Sequence, residues 1–117
     1  MAQPLAENEV RAVLRYVRMS PQKVRLVADL VRGKNALEAL NLLRFTPKAA
    51  AEPVSKVIAS AIANAVENKQ LSAQDLVIHR IYVDPGPIRP WRRFAARGRF
   101  RPIQRKSSHI TVILREA

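Results

Sequence analysis

Apolar and polar positions along this 117-residue chain change period several times, and each change marks an element. Residues Met1 to Asn8 are polar and predict a frayed start. From Val10 to Arg18 the chain is β-branched and basic (Val10, Val13, Arg15, Tyr16, Val17, Arg18), the pattern of a strand with one polar face. Ser20-Pro21 then supplies a helix start, with Ser20 at the cap and Pro21 at the first helical position. Val24, Val27, Ala28 and Val31 follow at helical spacing, and Gly33 ends that helix.

Asn35 and Glu38 fit a cap and its partner three residues on, predicting a second helix that runs to about Arg44. Its apolar positions are Leu37, Leu40 and Leu43, with Ala36 and Leu42 beside them. Thr46-Pro47 repeats the start signal and predicts a longer helix to about Asn68. Val54, Val57, Ile58, Ala61, Ile62, Ala65 and Val66 form its stripe, and Ala59, Ala61, Ala63 and Ala65 suit close packing on a sheet. Pro53 is expected to kink or weaken its first turns.

Leu76 to Asp84 alternates with period two, Val77, His79, Ile81 and Val83 against Ile78, Arg80 and Tyr82, as a strand does. Ile110 to Leu114 is a further strand. The order strand, three helices, two strands predicts one α+β domain over residues 1–117: a small antiparallel sheet of about three strands packed by three helices.

Charge changes the picture between the last two strands. Lys and Arg number 21 against 9 Asp and Glu, a net charge of +12, and a body this basic repels itself until a polyanion binds. Nucleic acid is that polyanion, because neutralised phosphates release condensed counterions. Pro85 to Ser108 concentrates the effect: it holds Arg89, Arg92, Arg93, Arg97, Arg99, Arg101, Arg105 and Lys106, and neither Asp nor Glu. Trp91, Phe94 and Phe100 are interleaved with these cations. The segment has too few aliphatic residues to make a core, and so long a connection inside a small domain points to function.

Strands on both sides make the segment a long hairpin projecting from the body. At about twelve residues per arm it would reach at most roughly 40 Å. Ala95, Ala96 and Gly98 put the bend between Arg93 and Gly98. Arginine grips phosphate with a planar fork, and aromatic rings stack on unpaired bases. In the body, Lys23, Arg25, Arg32 and Lys34 flank the first helix, and Arg15, Arg18, Lys23 and Arg25 cluster about its phosphate-favouring start.

Catalytic constellations are missing. The chain has no Cys, which excludes disulfides and thiolate sites, and its three Gly form no phosphate-binding loop. His79 and His109 lack an acidic pair for a metal, and His109 is expected to fix a strand start by hydrogen bonding. Ser107 and Ser108 beside His109 have no acid to orient them as a nucleophile. No catalytic residue, metal or cofactor is therefore expected. Apolar runs fall short of the roughly 20 residues of a membrane span, and Met1 to Glu9 resembles neither a signal nor a transit peptide.

Several runs are similar to a known family. Arg18-Met-Ser-Pro-Gln-Lys-Val-Arg25 and Leu30-Val-Arg-Gly-Lys34 resemble the first helix of the universal large-subunit ribosomal protein twenty-two family. Ser60-Ala-Ile-Ala-Asn-Ala65 resembles its long helix. Val83-Asp-Pro-Gly-Pro87, Gly98-Arg99 and Ser107-Ser-His-Ile-Thr111 resemble its hairpin base, arm and last strand. The resemblance implies binding of large-subunit rRNA early in assembly, with neighbouring ribosomal proteins as further partners. It also implies a body near the mouth of the exit tunnel, and a hairpin tip that lines the tunnel beside the nascent polypeptide. The expected place is the cytoplasmic ribosome, or an organellar one, with no membrane and no homo-oligomer. At the tip the chain departs from the common bacterial Lys-Arg, two residues, Pro-Arg-Ala pattern. It reads Pro90-Trp91 and Phe94-Ala95-Ala96, with charge at Arg92 and Arg93. The rival reading is a DNA-binding protein, or one for another RNA, with a β-ribbon arm.

Overall fold

The computed structural model describes residues 5–87, 89–94 and 100–117. Strand β1 (Glu9–Val17) leads into helices α1 (Pro21–Val31), α2 (Ala36–Arg44) and α3 (Ala51–Asn68). A short 3-10 turn (Ala73–Asp75) precedes strand β2 (Leu76–Pro85). Strands β3 (Arg89–Phe94) and β4 (Phe100–Arg105) follow, and β5 (Ser108–Glu116) ends the chain. The last strand lies in the middle of an antiparallel sheet of order β1-β5-β2, while β3 and β4 form a separate two-stranded ribbon. The fold is α+β, with the helices on one face of the sheet. The principal extents are 61 × 34 × 20 Å and the radius of gyration is 17.0 Å. A compact chain of this length would have about 13 Å, so the molecule is drawn out along one axis.

The core is the layer between α1, α3 and the even-numbered residues of β5. Ile110, Val112 and Leu114 are fully buried there, with Ile58 of α3, Val24, Val27, Ala28 and Val31 of α1, and Leu76 and Ile78 of β2. The α1 stripe is the one its spacing predicts. Asn35 caps α2, its Oδ1 accepting from the Leu37 and Glu38 amides at 3.0 and 3.3 Å. Gly33 takes φ +81°, the left-handed turn expected after a helix. Ser20 stands at the α1 cap position, but its side chain makes no capping bond.

Tertiary packing corrects several expectations. Helix α3 begins at Ala51, not at Thr46-Pro47. Thr46 belongs to the end of α2: its Oγ1 donates to the Leu42 carbonyl at 2.8 Å and its amide to Leu43 at 3.1 Å. Pro53 thus falls in the first turn of α3, where its missing N–H would have had no helical partner, and a kink has no cause. Of the four alanines expected to line the α3 stripe, Ala61 and Ala65 are buried, whereas Ala59 and Ala63 face out. On α2 the buried set is Ala36, Ala39 and Leu43, while Leu37 and Leu42 are exposed.

The simple alternation in β2 also fails. The register shifts between Ile78 and Arg80, leaving His79 as an extra residue. Leu76 and Ile78 face the helices before this bulge, and Ile81 and Val83 do so after it. One added residue switches the parity and keeps four apolar side chains in the core.

Candidate nucleic-acid interface

The root of the hairpin is built from the two motifs that flank it. Pro85 pairs with Ser108, and the Gly86 amide donates to the Ser107 carbonyl at 2.9 Å. Ser107 Oγ donates to the Pro87 carbonyl at 2.9 Å. A Cβ on Gly86 would collide with Ser107 Oγ and come within 3.3 Å of the His109 ring. Gly86 therefore lets two strands close tightly where the body ends. Ser108, fully buried, donates from Oγ to the Met19 carbonyl at 2.7 Å and pins the start of β5 to the turn before α1.

Beyond this root, β3 and β4 pair in register: Arg89 with Arg105, Trp91 with Ile103, Arg93 with Arg101, and Phe94 with Phe100. Two arginine pairs stand directly opposite each other. Like charges so placed weaken a hairpin, and a two-stranded hairpin is marginal even without them. A polyanion along the ribbon reverses the sign of that term. Arg92 lies opposite Pro102. The sequence-derived contacts Arg97 and Arg99, and the bend at Ala95, Ala96 and Gly98, lie outside the described residues.

In the body the predicted cations divide into two groups. Arg15, Arg18, Lys23 and Lys34 are exposed, and Lys106 is exposed beside the hairpin root. Arg25 and Arg32 have partners within the fold. Arg25 donates from Nε and Nη2 to the Val83 carbonyl at 3.2 and 2.9 Å. Arg32 donates from Nη2 to the Ile81 carbonyl at 2.8 Å and from Nη1 to Asp29. The backbone continues this cover, with the Gly33 amide bonded to the Ile78 carbonyl and the Ile78 amide to the Lys34 carbonyl. Strand β2 is an edge strand, and the segment 25–34 supplies partners to its Ile78 amide and to the Ile78, Ile81 and Val83 carbonyls. Sequence reasoning missed this use, since charge near a helix start carries no sign of which strand edge lies beneath it.

His109 does fix a strand, as expected from the sequence. Its Nδ1 accepts from the Tyr16 amide at 3.0 Å. It lies opposite Asp84 at the hairpin end of the sheet, whereas His79 sits in the β2 bulge near Leu114. Among the described residues no group of three or more His, Cys, Asp or Glu is placed to hold a metal ion. None of their helices is long and apolar enough to cross a membrane.

Comparison with known proteins agrees with this layout. The family described as ribosomal protein L22p/L17e matches residues 12–115. A large ribosomal subunit protein uL22 of Desulfitobacterium hafniense is 49% identical over 109 residues, covering 93% of this chain and 96% of the relative. The protein of the same name from Herpetosiphon aurantiacus is 55% identical over 106 residues, covering 91% and 94%. That of a Synechococcus species is 51% identical over 107 residues, covering 92% and 86%. The match spans the sheet, the helices, the arginine ribbon and the root that carries it, and the chain belongs to the ribosomal protein L22p/L17e family.

Proposed function

We propose that this protein is a structural constituent of the large ribosomal subunit, without catalysis of its own, that binds large-subunit rRNA through its ribbon and the cations at its root. The observation that carries this reading is the register of β3 and β4, which sets Arg89 against Arg105 and Arg93 against Arg101 in a segment devoid of acids. Such a ribbon gains its stability from phosphates on both sides. Arg92, Arg97, Arg99 and Lys106 extend the same charge, and Trp91, Phe94 and Phe100 stack on bases or wedge between them. In the body Arg15, Arg18, Lys23 and Lys34 take phosphates, while Arg25 and Arg32 are assigned to the fold.

By kinship with the family, the tip contributes to the wall of the exit tunnel beside the nascent polypeptide, and the body touches neighbouring ribosomal proteins. The protein acts in the cytoplasm, as part of the ribosome. The test is sedimentation of the full chain with large subunits, followed by crosslinking of a stalled nascent chain to residues 91–97. Co-sedimentation with a crosslink in that window is expected. Preference for duplex DNA over structured rRNA in direct competition would favour the β-ribbon DNA-binding reading instead.

A further inference from the structure

The face of the sheet turned away from the helices carries an unusual residue at its lower corner. Strand β1 bulges between Leu14 and Val17, so that Arg15 and Tyr16 together oppose His109. Tyr16 takes φ +61°, a left-handed conformation that a bulky L-residue adopts only under strain. Its amide is held by His109 Nδ1 at 3.0 Å, and its ring meets the His109 ring edge-on with centroids 4.9 Å apart. The His109 ring is backed by the close approach of Gly86. Despite this anchoring, Tyr16 is 61% exposed. The bulge spends backbone strain to hold an aromatic ring in solvent, and core packing gives no reason for it.

The surroundings say what the ring would meet. On the same face Tyr82 pairs with Thr111, one step along from His109, and is itself 40% exposed. Tyr16, His109 and Tyr82 thus run diagonally across all three strands. Arg15 and Arg18 flank Tyr16 in the chain, and Lys106 lies three residues before His109, all exposed. Asp84, opposite His109, is the acid on this corner, and it is outnumbered. Exposed rings bordered by cations recognise unpaired nucleotides, with bases on the rings and phosphates on the cations.

We infer that Tyr16, braced by His109, is a stacking site for an unpaired base of single-stranded RNA, with Arg15 and Arg18 on the adjoining phosphates. This rests on the RNA-binding reading above and adds to it a site on the sheet, separate from the ribbon. With Nδ1 accepting, His109 carries its proton on Nε2 and serves as a positioning residue.

The test titrates the full chain against deproteinised large-subunit rRNA by filter binding, comparing wild type with Tyr16→Gly and Tyr16→Phe. Glycine accepts the left-handed backbone and removes the ring, so its melting temperature should stay near wild type while affinity falls about 5-fold or more. Tyr16→Phe, which keeps the ring, should bind as wild type does. Should Tyr16→Gly fail to fold, Tyr16→Asn, which also tolerates this backbone, is read in the same way. Undiminished rRNA affinity in the folded ringless variant overturns the stacking site and leaves the RNA reading intact. Failure of the wild type itself to bind rRNA overturns both.

Discussion

Removing the two arginines that cover the β2 edge separates a folding role from an RNA role. In the double variant Arg25→Ala/Arg32→Ala the Val83 and Ile81 carbonyls lose donors at 2.9 and 2.8 Å. A hydrogen bond from a charged donor contributes about 1.5–3 kcal/mol when shielded, and exposure of these guanidinium groups reduces that to about 1 kcal/mol each. The two contacts lie two residues apart on one strand edge, so the expected loss is about 2 kcal/mol if they add. At about 2.1 cal/mol/K per residue, 117 residues give an unfolding entropy near 0.25 kcal/mol/K, and the melting temperature should fall by about 8 °C. Urea unfolding with an unchanged slope would report the same loss. The salt dependence of rRNA binding should stay as in wild type. If stability were unchanged and the salt slope fell by about 1.4–1.8, the two residues would be phosphate contacts and the edge-cover argument would be wrong.

Other outcomes follow from single sites. With about six phosphates neutralised, log affinity for rRNA should fall against log salt with a slope near −4 to −5, and a flat dependence would contradict the electrostatic reading. Gly33→Ala should cost about 1–2 kcal/mol through its φ of +81° alone, because an added Cβ there meets nothing within 4 Å. Gly86→Ala reaches a similar cost of about 1 kcal/mol by a different route, displacing Ser107 from its bond to Pro87, and it should lower rRNA affinity by tilting the ribbon. Chemical denaturation of both variants checks the sizes, and a neutral Gly86→Ala would mean that the root is loosely packed. Ile58→Ala, at a fully buried site, should destabilise by about 2–5 kcal/mol, read by the same measurement.

The class of fold, the α1 stripe, the Asn35 cap, the Gly33 stop and the run of arginines are all legible along the chain. Each depends on near neighbours: a period, a cap or a run of charge is complete within a few residues. Charge also pointed to nucleic acid without any structure, because a chain of net +12 with its cations gathered in an acid-free segment favours a polyanion wherever it folds.

Features that depend on residues far apart in the chain emerge with the packing. Thr46 looked like the start of a helix, and its hydroxyl closes the previous one. His79 counts as one residue of a regular strand until the register with β5 shows it as a bulge. Arg25 and Arg32 read as surface charge until β2, about 50 residues later, places carbonyls beneath them. Tyr16 reads as one more strand residue, and its left-handed backbone exists because His109, 93 positions away, accepts its amide. Local pattern fixes which face of an element is apolar. The partner across the sheet decides register, edge and strain, and no local pattern encodes that partner's position.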